Sequence, residues 1–162
     1  MNISEFGIKL IKRFEGCRLT AYKCPAGVWT IGYGHTGCDV YEGVKITQER
    51  AEELLIHDLK VRSKNVTGRL HVQVNQNQFD ALVSLMFNIG YGNFINSSVL
   101  RCVNAGDFKK AAWHFYHENH GAKTPEEKYK GCWVFDSNKR VLPGLVRRRR
   151  EEYELFILKD LI

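Results

Sequence analysis

A chain of 162 residues, 44% hydrophobic and 26% charged, is long enough to bury a core without disulfide support and has room for one domain or two tightly joined lobes. No apolar run approaches the roughly 20 residues of a membrane span, and MNISEFGIKLIKRFEG places charges inside its apolar pattern, so no signal peptide is read and synthesis in a cytoplasm is expected. The net charge of +6 favours approach to polyanions in general, which leaves nucleic acid, anionic lipid and bacterial wall polymer equally open, while five cysteines without a CxxC pair argue against a zinc knuckle or a disulfide scaffold.

In chain order, Ser4 is placed to cap a helix running to about Phe14. Its apolar positions Ile3, Phe6, Ile8, Leu10, Ile11 and Phe14 fall mostly three or four apart, and Gly16 ends it. Residues 18–46 change character. Leu19, Ala21, Val28, Trp29, Ile31 and Tyr33 alternate with polar or small residues between glycines, which predicts a small three-stranded antiparallel sheet that needs helices for support. Thr47 caps the next predicted helix, with acids early and bases late. NQNQFDALVSLMFNI, residues 75–89, is apolar on more than one face and reads as the central buried helix, stopped by Gly90. Short helices are expected at 97–104 and 107–119. A polar loop with a second hairpin is expected within 121–142, and a last helix opens at Pro143. This order predicts an α+β molecule with a small N-terminal sheet lobe, a larger helical lobe and a cleft between them.

Three residues stand out chemically. Glu15 closes the first helix, where the dipole disfavours a carboxylate and so favours its protonated form, which suits a general acid. An exposed glutamate of no consequence reads equally well. Thr30 shares a strand face with Gly32 and is suited to hold a water, or is a plain β-former. His35 is a base or a turn residue making structural hydrogen bonds. Arg147 to Arg150 fall in four directions around a helix, so the run is no nucleic-acid stripe. Some of these arginines are expected to pair with Glu151 or Glu152, and one to turn inward toward a carboxylate.

Together, EGCRLTAY, GVWTIGYGHT, NQNQFDALVSLMFNIG, SSVLR and LPGLVRRRREEYELF resemble, in order and spacing, the phage lysozymes of glycoside hydrolase family 24, the T-even-type muramidases and lambdoid endolysins. The resemblance covers the whole chain. It implies a single lysozyme-like domain over 1–162, with a sheet lobe at about 15–60 and a helical lobe at about 1–14 and 61–162. It also implies hydrolysis of the β-1,4 bond between N-acetylmuramic acid and N-acetylglucosamine. Glu15 matches the family's general acid and Thr30 the threonine that helps hold the attacking water. His35 matches a motif histidine in a supporting role. Arg148, with Arg147 as the neighbouring alternative, matches an arginine packed against the glutamate, and Asn88 an amide that contacts sugar.

One position departs. Nine residues after the glutamate the family usually has a catalytic aspartate, and here stands Cys24. Some endolysins similar to this chain carry cysteine there. An unperturbed thiol is a poor anion at neutral pH, and Arg18 and Lys23 are near enough in sequence to favour the thiolate. Base, electrostatic and nucleophilic roles are open, with the base or electrostatic role preferred because Thr30 is retained. The resemblance also leaves a regulatory disulfide between Cys17 and Cys24 open. Endolysins held inactive by such a bond carry an N-terminal membrane anchor, which is not read in this sequence.

The expectation is thus a monomeric endolysin needing neither metal nor organic cofactor. It would wait in the host cytoplasm, pass through a separate membrane pore protein and act on periplasmic peptidoglycan, without binding nucleic acid or inserting stably in a membrane. A wall-binding protein without catalysis, a cationic membrane-disrupting protein and a secreted antibacterial effector are the alternatives.

Overall fold

The computed structural model describes residues 1–158. Helix α1, Glu5–Glu15, starts where Ser4 accepts a hydrogen bond from the Gly7 N–H, and it stops at Gly16, whose φ of 64° ends the helical path without a Cβ penalty. The start of α1 is anchored across the molecule, because the Ser4 N–H and hydroxyl both donate to Asp80. Gly7 makes this contact feasible: a Cβ there would lie 2.7 Å from Ile3 and 2.8 Å from Asp80.

The sheet is smaller than the sequence suggests. β1, Arg18–Lys23, pairs antiparallel with β2, Trp29–Gly32, in the register Tyr22↔Thr30 and Lys23↔Trp29, with an irregularity between Arg18 and Tyr22. The expected third strand is reduced to a bridge between Thr20 and Lys45, with the Ala21 N–H donating to Val44 and the Ile46 N–H to Leu19. The reason is local. Gly43 turns the chain at φ 83°, and Thr47 already caps the next helix, leaving three residues in between.

That helix, α2 (Gln48–Thr67), packs against both β2 and α3, running from the sheet into the helical body. Ile31, Val40 and Leu54 form a small core between sheet and α2. The central helix α3, Gln76–Ile89, opens with a capping box between Asn75 and Gln78. It packs against α1, α2 and α8. Phe79, Leu82 and Leu85 are wholly buried, each worth roughly 1.5–3 kcal/mol over exposure. This helix, rather than the two-stranded sheet, therefore organises the molecule.

Gly90 ends α3, as expected, but the chain enters another short helix at once, α4 (Tyr91–Ile95). α5 (Ser98–Asn104) and α6 (Phe108–Phe115) follow. α6 stops four residues earlier than predicted. Tyr116 is extended, which sends its ring toward Tyr129 and Tyr153 and its hydroxyl to Glu118. The 121–142 region contains one helical turn, α7 (Pro125–Lys128), and a bridge between Phe135 and Val141. It has its own small core around Tyr129, Cys132 and Val134. The last helix, α8, is Pro143–Ile157, opened by proline as expected. No described helix is long and apolar enough to cross a membrane.

Candidate active site

Glu15 is the last residue of α1, where the helix carbonyls disfavour its negative charge. The compensating cation comes from the far end of the chain. Arg148, on the first half of α8, donates through Nη1 to Glu15 Oε1 at 2.5 Å. The inward arginine expected from the RRRR run is therefore Arg148, and Glu15 feels its charge as well as the helix terminus.

Arg148 is held from three sides. Its Nε donates to Glu152 Oε1 at 3.1 Å and its Nη2 to the Ser84 carbonyl at 3.2 Å, while its guanidinium lies 5.7 Å from the centre of the Phe14 ring. Glu152 is fully buried and binds more than Arg148: the Ser84 hydroxyl donates to it at 2.6 Å and Arg149 Nη2 at 2.8 Å. Arg149 is also fully buried, and desolvation pulls its guanidinium below the usual arginine range despite the attraction of Glu152. Its Nε lies 2.8 Å from Glu152 Oε2, close enough for ion pairing but misaligned for a hydrogen bond, so this contact is electrostatic. Two arginines, one glutamate and one serine thus form a buried polar knot behind Glu15. The RRxxE spacing hints at i,i+3 and i,i+4 pairing, but nothing in a sequence marks Ser84, 64 residues away, as a member.

Glu15, Asn88, Arg147 and Arg148 line one cavity of about 340 Å³. Asn88 lies near the end of α3 and Arg147 is exposed on α8. Four candidates from three separate parts of the sequence therefore meet at one hollow.

A second group sits on the sheet. Two residues, Gly16 and Cys17, connect Glu15 to β1, and Cys24 follows β1 directly. The turn to β2 is closed by the Cys24 N–H donating to Val28 at 2.9 Å and the Gly27 N–H donating to Cys24 at 2.8 Å. The Val28 N–H is the main influence holding the Cys24 thiol below its ordinary range. The Ala26 N–H, the Thr30 hydroxyl and the cysteine's own N–H act in the same direction, and desolvation opposes them. Backbone donors, not the expected Arg18 and Lys23, favour the thiolate. Those two cations instead lie over the rings of Tyr22 and Trp29. Thr30 is 5% exposed, and its hydroxyl donates to the Val28 carbonyl at 3.0 Å. Having one hydrogen, it serves either that carbonyl or the sulfur at a given moment.

His35 ties the hairpin to α2, its Nδ1 lying 2.9 Å from Asp58 and its Nε2 3.4 Å from Asp39. Asp58 was not singled out from sequence, and only the fold brings it to the histidine. Cys17 faces the main core. Burial pushes its thiol up, with the Tyr33 hydroxyl acting against this. Cys17 and Cys24 are both free thiols in this structure. Among the described residues no hydrogen bond or ion pair connects the Cys24–Thr30 group to the Glu15–Arg148 group.

Comparison with known proteins supplies the context. The chain is 42% identical over 156 residues to an endolysin of Acyrthosiphon pisum secondary endosymbiont phage 1, covering 96% of this chain and 98% of that one. It is 43% identical to an endolysin of Bacillus phage B103, matching 97% of this chain but 54% of that protein, so it spans about half the length of that relative. Among solved structures, the muramidase domain of SpmX from Asticaccaulis excentricus superposes with a TM-score of 0.79 at 40% identity, over 98% of this chain and 99% of that one. The model of the phage lysozyme family matches residues 12–152, from just before Glu15 to Glu152. This chain belongs to the phage lysozyme family.

Proposed function

We infer that this protein is a peptidoglycan-hydrolysing lysozyme of the endolysin type, a glycoside hydrolase whose action lyses bacteria. Its family, its endolysin relatives and its likeness to a muramidase domain support that reading. The observation that carries it is the part-buried cation–carboxylate pair Arg148–Glu15 at the edge of a solvent-open hollow that Asn88 also lines.

In the proposed reaction, within the scheme of glycoside hydrolase family 24, Glu15 transfers its proton to the bridging oxygen of the N-acetylmuramic acid–N-acetylglucosamine bond. The C1–O bond breaks and an oxocarbenium-like centre develops. Thr30 holds a water, and the Cys24 thiolate takes one of its protons as the water oxygen adds to C1, giving a new reducing end. Asn88 contacts sugar. Arg148 sets the position and field of Glu15, with Arg147 at the rim, and His35 braces the sheet through Asp58. Support for a thiolate in the place usually held by aspartate is the ring of N–H donors around Cys24.

A Cys17–Cys24 disulfide would consume the thiolate and pull the loop next to Glu15. Equal activity with and without reductant, after oxidation of the pair is verified, would remove that switch. The enzyme acts as a monomer without metal or organic cofactor. Made in the host cytoplasm, it reaches periplasmic peptidoglycan through a separate pore protein.

The test is turbidity loss of outer-membrane-permeabilised Gram-negative cells by wild type, Glu15→Gln and Cys24→Ser, each with and without dithiothreitol. Loss of lysis in both variants supports a Glu–Cys glycosidase. Lysis unaffected by either substitution overturns it.

A further inference from the structure

A larger hollow lies elsewhere on the helical body, between α6, the segment after it and α8. It has a volume of about 560 Å³ and is lined by Lys109, Trp113, Tyr116, His120, Arg150 and Tyr153, among others. Arg150, Tyr153 and Ile157 contribute to it from one stripe of α8. Arg150 is two residues beyond Arg148, which places it about 200° further round the helix. The hollow therefore opens on the opposite side of α8 from the Glu15 cavity, and the two share no lining residue.

Its chemistry is specific. Trp113 is 44% exposed, unusual for so large an apolar ring, yet it is not loose. Its indole stacks on His117 at 3.6 Å between ring centres and 9° between planes, and His117 Nδ1 is 3.0 Å from the Trp113 carbonyl. Around this fixed platform stand two tyrosines and an excess of positive charge. Glu118, the acid of the rim, is already matched by Lys128 at 2.6 Å and by the Tyr116 hydroxyl at 2.8 Å. Arg150 pairs with the same Glu118 at 3.8 Å and donates to the Tyr116 hydroxyl at 2.9 Å, so Lys109, Lys128 and Arg150 stand around one carboxylate and positive charge is in excess there. His117 covers one face of the indole and His114 lies edge-on at 4.9 Å, while 44% of the residue stays open; an exposed aromatic ring held in this way pairs with the apolar face of a pyranose ring, and the excess of positive charge favours a ligand that also bears carboxylates. The wall polymer has both, in its N-acetylated sugars and in its stem-peptide carboxylates.

We propose that this hollow is a second binding site for peptidoglycan, remote from the cleft, in which Trp113 stacks on a glycan ring while Lys109 and Arg150 take a neighbouring carboxylate. It rests on the reading of the chain as a peptidoglycan hydrolase. It holds the enzyme on an insoluble sacculus while the cleft acts, so it matters for the polymer and not for a short soluble fragment.

The experiment measures binding to purified sacculi in a Glu15→Gln background, so that nothing is digested, together with hydrolysis of sacculi and of short soluble glycan fragments by the otherwise wild-type enzyme. Trp113→Ala is expected to weaken sacculus binding roughly ten-fold and to slow sacculus hydrolysis, while fragment hydrolysis, which also reports folding, stays within two-fold. Trp113→Tyr, which keeps a flat ring, should retain most binding. Lys109→Gln with Arg150→Gln should weaken binding at low salt and matter less at high salt. Sacculus binding unchanged in Trp113→Ala overturns the proposal. So does equal loss of sacculus and fragment hydrolysis, or binding to anionic lipid vesicles that Trp113 governs while sacculus binding does not depend on it. If the wild type hydrolyses neither sacculi nor fragments while still binding sacculi through Trp113, the enzyme reading fails and the binding site stands.

Discussion

Arg148 bridges two carboxylates of different standing: Glu15 at the edge of an open hollow and Glu152 in the core. One guanidinium thus ties the end of the first helix to the last helix, across 133 residues of sequence. The pairing separates two kinds of mutational effect.

Glu15→Gln removes the proton donor but leaves an amide that still accepts from Arg148, and Glu152 still accepts from that arginine. Lytic rate should fall by about 10²–10⁴-fold, the usual contribution of a general acid, while the urea midpoint moves little. Turbidity clearing and urea denaturation on the same preparation check both halves. A variant that loses its fold along with its activity would count against a catalytic role.

Glu152→Ala should do the reverse in origin. It strands Arg149 in the interior, 0% exposed, and leaves Arg148, 3% exposed, with Glu15 alone, and loss of one partner of a buried pair costs about 3–5 kcal/mol. Urea unfolding should show that loss directly. Activity per folded molecule should also drop, because Arg148 loses the contact that aims it.

Cys24 should be the most readily alkylated thiol near neutral pH. N–H donors hold it below the ordinary thiol range, whereas burial raises Cys17 and pushes Cys132 up to about 11. Iodoacetamide labelling followed by peptide mapping should find Cys24 modified first, with lysis lost in parallel. Thr30→Ala removes one of the groups favouring the thiolate, so its labelling should require higher pH. Cys24→Asp should keep activity that Cys24→Ser loses.

Glu118 supplies a pH signature. Lys128 first, then the Tyr116 hydroxyl, hold its carboxyl down to about 2, against an ordinary 4.5. A depressed acid stabilises the fold fully above its unfolded value and loses that contribution as pH falls through the folded one. The stability difference between wild type and Glu118→Gln should therefore be present at pH 6, shrink below pH 4.5 and vanish near pH 2. Urea midpoints at three pH values test this, and a constant difference would refute it. The effect should be modest, since Lys128 is 41% exposed and water screens the pair.

Much of this molecule was legible from local rules. Ser4, Thr47 and Asn75 cap their helices through side-chain oxygens, and Gly16 and Gly90 end theirs at positive φ, because capping and left-handed turns depend on neighbours along the chain. Errors arose where the start of a neighbouring element or a distant contact overrides the local pattern. The third strand shrank because α2 claims Thr47, and α6 ends early because Tyr116 finds better partners in Tyr153 and Arg150 than in another helical turn.

The candidate site divides the same way. Glu15, Cys24 and Thr30 lie within 16 residues, and the sequence by itself determined their order, their spacing and the helix end and hairpin that display them. The resemblance pointed to Arg148 with Arg147 as the alternative, and only the tertiary structure decided that Arg148 is the one that pairs with Glu15, that Ser84 and Glu152 hold it, and that Asp58 holds His35. Helical periodicity spreads Arg147 to Arg150 around α8, but the burial that selects Arg148 exists only once α1, α3 and α8 have packed together.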